Sequence, residues 1–288
     1  MEEQKWVSNL VLVRHGESTR NLAKAKAEAE KSETYGHDER DMDVTLTARG
    51  QRQAKETGER LPQHLGFAFD RAFASPYRRT VQTAELVLAS QGGPVKTALE
   101  ERVREKEFGV LDGLTKLGIK RRYPHEAERK KRDGKYYYRP LGGESYPDVN
   151  QRVHAFLGML IRECPGQNVL VVCHSVIVLS FRRLLERLSE KDLLDIDRDP
   201  RQEPKNCGVT WYAFDPKAGD RGKLALKSYN VKLYDEDLAS DEPSRTSEAE
   251  RRSEEAHAGK HAAQTRKQRA VGKKAAMTTK GRATVREA

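Results

Sequence analysis

Apolar residues in this chain gather in short runs, set between longer stretches in which they recur every three or four positions. Leu10 to Val13 (LVLV) reads as a buried strand ending at Arg14, and Val169 to Cys173 (VLVVC) as another ending at His174. The stretch from Phe67 to Ala74 predicts a third strand, and Ser75-Pro76 after it is a start signal for a helix reaching about Ala89. Helical spacing predicts further helices over Thr47–Leu61, Tyr146–Cys164 and Val176–Leu188, with closing strands at Thr210–Phe214 and near Leu224–Tyr229. Strands alternating with amphipathic helices imply an α/β domain with a mostly parallel sheet. Two polar stretches interrupt the pattern. Residues Ala23 to Asp43 look like an inserted or partly helical excursion, and Lys116 to Arg139, basic and carrying four tyrosines, has the makeup of a lid over an anionic ligand.

Composition narrows the class. The chain has 288 residues, and its 36% hydrophobic content suits one ordinary core. No run approaches the ~20 apolar residues of a membrane span, and MEEQKWVSN lacks the layout of a signal peptide, so a cytoplasmic protein is expected. Cys164, Cys173 and Cys207 are odd in number and lack metal-ligand spacing; all three are expected to be reduced, with no metal and no cofactor.

The net charge of +10 is unevenly placed, because +8 of it falls between Arg251 and Ala288. No Phe, Trp, Tyr, Ile or Leu follows Leu238, so this part cannot bury enough apolar area to offset the entropy of ordering. Residues 1–234 are therefore expected to form the domain, and residues 235–288 a disordered basic tail. The tail is either a solubilising extension or a tether to nucleic acid or another anionic surface.

Ligands of open α/β sheets lie beyond the carboxyl ends of the strands, which brings His15 and His174 to one edge. Arg14-His15-Gly16-Glu17-Ser18 sets a guanidinium beside an imidazole, in a turn whose glycine permits close approach and whose amides can face an anion. Arg79 falls in the first turn of the helix after Ser75-Pro76, where the helix dipole adds to its charge, and Arg78 points ~100° away. Together these residues indicate phosphate chemistry. His64 and His154 read as surface groups on helices, and Cys173 and His174 face opposite ways along a strand.

In these motifs the chain resembles the histidine phosphatase, or phosphoglycerate mutase-like, superfamily. Arg14-His15-Gly16-Glu17 with Asn21 behind it, Leu46-Thr47 with Gly50, SPYRRTVQTA from Ser75 to Ala84, and ERVREKEFG with its acidic residue at Glu105 occur in that family's order, with His174 as the second histidine. The resemblance spans about Asn9 to Phe214. It implies a three-layer sandwich, a nucleophile at His15, phosphate binding by Arg14, Arg79 and His174, and a general acid/base at Glu105, with Glu101 and Glu107 fitting less well. RRTVQTAE, Tyr123-Pro124, KYYYR, GESY and VLVVCH are similar to the fructose-2,6-bisphosphatase domain. That similarity implies substrate contacts from Lys135, Tyr146 and one of the basic residues Arg129 to Arg132. Asn21, Ser75 and Ser175 are further candidates. The three neighbouring tyrosines, Tyr136, Tyr137 and Tyr138, would either stack on a sugar or pack the lid.

The resulting expectation is a phosphatase of a small phosphorylated metabolite. Neutral His15 would attack phosphorus, Arg14, Arg79 and protonated His174 would hold the oxygens, and Glu105 would serve the leaving group and then water. A phosphoglycerate mutase uses the same pocket and remains an alternative. A scaffold or nucleic-acid-binding protein acting through the tail is an alternative of another kind, and the oligomeric state is left open.

Overall fold

The computed structural model describes residues 5–36, 39–219 and 222–239. The remainder of the basic tail, from residue 240, lies outside the described residues. Among them, six strands form one sheet: β1 (Asn9–Arg14), β2 (Arg71–Ala74), β3 (Lys96–Leu99), β4 (Asn168–Cys173), β5 (Val209–Asp215) and β6 (Lys223–Val231). Their order is β3-β2-β4-β1-β5-β6. β3, β2, β4 and β1 run parallel, while β5 pairs antiparallel with both β1 and β6. Leu10 to Val13 and Val169 to Cys173 are wholly buried on both faces, which is why their sequences read as unbroken apolar runs rather than alternating ones.

Helices cover both faces: α1 (Thr19–Ala29), α2 (Ala48–Leu65), α3 (Arg78–Leu88), α4 (Lys116–Arg122), α5 (Pro124–Tyr137), α6 (Tyr146–Glu163), α7 (Ser175–Leu185) and α8 (Glu190–Arg198). On one face, α6 buries Val149, Val153, Phe156, Leu157 and Leu160, spaced at about two helical turns per seven residues, against the sheet and α7. Phe156 meets the rings of Phe73 and Phe181 at 5.3 and 6.0 Å, and cutting it to alanine would cost about 3–5 kcal/mol. On the other face, Ala54, Leu61 and Leu65 of α2 and Ala84 and Val87 of α3 close a second cluster. The expected three layers are present. No described helix is long and apolar enough to cross a membrane.

Several elements differ from the sequence expectation. The strand expected over Phe67–Ala74 begins only at Arg71, because α2 runs four residues past Leu61 and stops at Gly66, whose φ of 77° is the left-handed ending that glycine permits. Edge strand β3 and helix α8 were not anticipated. Within Ala23–Asp43, the first residues complete α1, which starts earlier on a capping box between Ser18 and Asn21. Lys116–Arg139 is two helices, the second broken at Gly134, where φ is 76°. The two excursions clasp one another: Thr115 donates to the Ser32 carbonyl at 2.6 Å, and Arg121 and Arg122 reach Glu33 at 3.1 and 2.8 Å. Residues 235–239, placed in the tail by composition, instead pack on α2, with Leu238 buried and its carbonyl accepting from Gln53 Nε2 at 2.6 Å.

Candidate active site

Register brings the key residues to one edge. Arg14 of β1 pairs with Cys173 of β4, so the next residues, His15 and His174, leave the sheet side by side. Their ring centroids are 5.2 Å apart and inclined at 63°. The His15 amide donates to the Cys173 carbonyl and the Ser75 amide to the Val172 carbonyl, each at 3.0 Å, so the ends of β1, β4 and β2 are tied together there.

The loop after His15 is held by close backbone approach. A Cβ on Gly16 would lie 2.5 Å from the Gly50 carbonyl oxygen, and one on Gly50 would lie 2.0 Å from the Glu17 carbonyl oxygen. Only glycine fits at either position. Glu17 is buried and accepts from Thr47 Oγ1 at 2.8 Å, while its amide donates to Gln53 Oε1 at 2.8 Å. The Gly16 amide donates to Thr83 Oγ1 at 3.1 Å. His15 Nδ1 is 2.7 Å from the Gly16 carbonyl oxygen. A carbonyl can only accept, so Nδ1 carries the hydrogen and Nε2 keeps its lone pair. His15 is buried, with that lone pair not engaged by the Gly16 carbonyl.

His174 stands at the N-cap position of α7, its side chain making no capping hydrogen bond, and is wholly buried. Its Nδ1 lies 3.5 Å from Arg79 Nη2, which can only donate, so Nε2 bears the hydrogen and donates to Ser75 Oγ at 2.8 Å. Burial, followed by the charges of Arg79, His15, Arg14 and Arg152, holds its pKa well below the usual histidine range. His174 is thus neutral in this structure, unlike the protonated form expected from sequence. An incoming phosphate dianion would supply the charge that the protonated form needs. Arg14 donates from Nη1 to the Pro204 carbonyl at 2.8 Å, and Arg79 is buried where Arg78 is exposed.

Of the three candidate glutamates, Glu105 alone is buried. Its Oε1 accepts from the Lys106 amide at 2.8 Å, and its charge is felt at both Tyr77 and Cys173. The other predicted residues divide. Ser75 is bonded to His174, and Ser175 is buried in the first turn of α7. Asn21 is engaged in capping α1, its Oδ1 accepting from the Ser18 amide at 2.9 Å. Lys135 and Tyr146 converge, but on a carboxylate of the protein: Lys135 Nζ is 2.7 Å and Tyr146 Oη 2.8 Å from Oδ2 of buried Asp197 on α8. Tyr136 stacks on Tyr146 with centroids 5.8 Å apart, and Tyr138 donates to Glu126 at 2.6 Å, so two of the three neighbouring tyrosines pack the cap and only Tyr137 is exposed. Beside them, burial and the charge of Lys130 lower the Lys106 pKa to about 8.

Sequence reasoning missed four participants. Tyr77, the residue before α3, places its ring 5.1 Å from that of His174 and under the Arg79 guanidinium at 4.9 Å. Asn206 donates to the His15 carbonyl at 3.1 Å. Asp41 pairs with Arg79, and Arg152 braces the Glu105 segment. An aromatic residue before the arginine pair was the one available signal; Asp41 and Asn206 stand in polar stretches without periodicity, and Arg152 lies on the foreseen helix α6, where nothing in the pattern points to its partners. The three cysteines are unpaired and buried, and burial pushes the Cys207 thiol up to about 12.

Paired imidazoles, two buried arginines and a buried glutamate at the carboxyl edge of a parallel sheet have the chemistry to hold a phosphoryl group and exchange it with an imidazole. The chain matches the model of the histidine phosphatase superfamily, branch 1, over residues 10–225, and it belongs to that family. It is 33% identical over 197 residues to the 2,3-bisphosphoglycerate-dependent phosphoglycerate mutase of Rhizobium etli, covering 66% of this chain and 86% of that one. The enzyme of the same name from Methylobacterium radiotolerans is 34% identical over 190 residues, covering 65% and 83% of the two chains. Among solved structures, a mycobacterial glucosyl-3-phosphoglycerate phosphatase with inorganic phosphate shares the fold at a TM-score of 0.59 and 21% identity, over 81% of this chain and 100% of that one. A putative alpha-ribazole-5'-P phosphatase from Escherichia coli does so at 0.61 and 21%, over 80% and 98%. The chain is an enzyme of this superfamily, of the phosphatase or mutase kind.

Proposed function

We propose that the chain is a phosphomonoester hydrolase acting on a small phosphorylated metabolite through a phosphohistidine on His15. The observation that carries this reading is the 2.7 Å approach of His15 Nδ1 to the Gly16 carbonyl, which assigns the hydrogen to Nδ1 and leaves the Nε2 lone pair on a ring 5.2 Å from that of His174. Nε2 attacks phosphorus as the bond to the leaving oxygen breaks, and Glu105 gives that oxygen a proton. Water then attacks the phosphohistidine, Glu105 takes its proton back, and orthophosphate leaves with His15 restored. Arg14, Arg79 and His174 stabilise the phosphoryl oxygens throughout.

The reaction proceeds without a metal, so chelators should leave turnover intact. Three unpaired cysteines suit a reducing, cytoplasmic setting. The likeness to the fructose-2,6-bisphosphatase domain is supported by the cationic cap, where Lys130 and Lys135 stand close enough to Lys106 to lower its pKa, and the three would suit a second anionic group on the substrate. The curated relatives favour a second reading, in which the phosphoryl group returns to substrate and the chain is a mutase.

Mass spectrometry of protein quenched during turnover of p-nitrophenyl phosphate should find acid-labile phosphate on His15, and His15→Ala should be inactive. Near-wild-type hydrolysis by His15→Ala would sink the scheme. Free phosphate release, measured against conversion of 3-phosphoglycerate, separates hydrolase from mutase.

A further inference from the structure

Arg79 is the buried guanidinium nearest the second histidine, and an internal carboxylate already holds it. Nη1 donates to the Asp41 carbonyl oxygen at 2.5 Å and to Asp41 Oδ1 at 3.0 Å. Nη2 donates to Asp41 Oδ2 at 3.1 Å and approaches His174 Nδ1 at 3.5 Å. A guanidinium has five N–H groups, four of them on the two terminal nitrogens. These four contacts account for all four terminal hydrogens, three of them through Asp41. A phosphoryl oxygen can therefore claim a terminal nitrogen of Arg79 only by displacing a partner, and the carboxylate is the partner that matches phosphate in charge and fork geometry.

The displaced carboxylate has somewhere to go. Arg20 Nε lies 3.3 Å from Asp41 Oδ1, and the side chains of Arg20, Asp41 and Arg79 are 15, 19 and 4% exposed. Asp41 thus bridges two shielded guanidinium groups, one in the phosphoryl site and one on α1; Arg20 also holds Asp112 through Nη2, which leaves its Nε side to Asp41, so Asp41 can pass from sharing both guanidinium groups to resting on that side of Arg20.

We propose that Asp41 is a built-in competitor for the phosphoryl group: it holds Arg79 by both terminal nitrogens, yields to phosphate by shifting toward Arg20, and returns to Arg79 to help orthophosphate depart. It sets affinity for the phosphoryl group without touching the reacting atoms. The inference rests on the phosphoryl-transfer reading of the site, and the test keeps the two apart.

Orthophosphate binding is measured by titration calorimetry on the full chain at pH 7.5, with p-nitrophenyl phosphate turnover recorded in parallel. Asp41→Asn should tighten phosphate binding by about tenfold, the scale of one partly buried charge pair. Asp43→Asn removes the same charge two residues away, where the carboxylate pairs with exposed Arg40, and should change it less than about twofold. Arg20→Met should weaken binding, and combining it with Asp41→Asn should abolish that weakening. The proposal is overturned if Asp41→Asn leaves affinity unchanged or lowers it, if Asp43→Asn tightens binding equally, or if Arg20→Met weakens binding as much without Asp41 as with it. Failure of the underlying reading looks different, since wild type would then neither bind orthophosphate nor hydrolyse the ester.

Discussion

Arg152 of α6 donates to the main-chain carbonyl oxygen of Glu105 at 3.1 Å, and from its other terminal nitrogen to those of Arg102 and Arg104 at 2.8 Å each. Its remaining face is bonded to Glu144, whose Oε2 also accepts from the Glu107 amide at 3.0 Å. The segment carrying Glu105, the proposed general acid, is thereby fixed on both sides by one ion pair.

Arg152→Lys keeps the charge but cannot reproduce this fan of donors. Hydrolysis of alkyl phosphates, which need a proton for the leaving oxygen, should fall by roughly 10–100-fold. Release of p-nitrophenol, which needs none, should fall much less. Equal losses for both substrates would remove the positioning role from Arg152.

The pair between Lys135 and Asp197 makes an opposing claim on a residue expected to meet substrate. Lys135→Met removes the ammonium that lies 2.7 Å from a wholly buried carboxylate, and about 3–5 kcal/mol of stability should be lost, read from the urea midpoint. Adding Asp197→Asn should recover most of it. An unchanged midpoint with a raised KM would instead make Lys135 a substrate contact.

His174 is neutral in the fold because burial and neighbouring cations depress its pKa well below 6.5. The unfolded chain takes up a proton there below pH 6.5 and the folded chain does not, so stability falls as the pH drops from that point. Orthophosphate reverses the balance by placing negative charge against the ring. Calorimetry at pH 7 in buffers of differing ionisation enthalpy should show proton uptake approaching one per phosphate bound, and His174→Asn should lose it. No uptake in wild type would mean that His174 acts neutral throughout.

Lys106 works in the same direction at higher pH. Its pKa of about 8 in the fold, against 10.5 unfolded, means that stability rises between pH 8 and 10.5, where the unfolded chain holds the extra proton. Lys106→Met should therefore be more stable than wild type at pH 7, by at most roughly 3 kcal/mol, with the gap closing toward pH 10.5. Ring contacts with Phe108 and Tyr146 at 5.3 and 5.6 Å reduce that gain. A variant less stable than wild type at pH 7 would contradict this.

The centre of the fold was legible because β1 and β4 are buried on both faces, which leaves an unbroken apolar run that ends at a histidine in each case. β3 was not, since its four residues, KTAL, are mostly exposed at the sheet edge and do not alternate. α8 buries a narrow stripe, with Leu193, Leu194 and Ile196 as its apolar residues beside Asp197, in an otherwise charged segment. Within the site, residues that act through side-chain chemistry next to a strand end could be read from order and type. Asp41 and Arg152 could not, because their roles depend on partners 38 and 47 residues away that no local pattern connects.

Gly16 and Gly50 each leave room for backbone across a gap of one missing methyl group. Any larger residue at either position forces the turn behind His15 away from the start of α2, and enlarging the partner cannot compensate, since the obstacle is main chain on both sides. A search that varies one residue at a time should return glycine at both positions. Remodelling this part of the pocket would require moving a whole helix start rather than exchanging side chains.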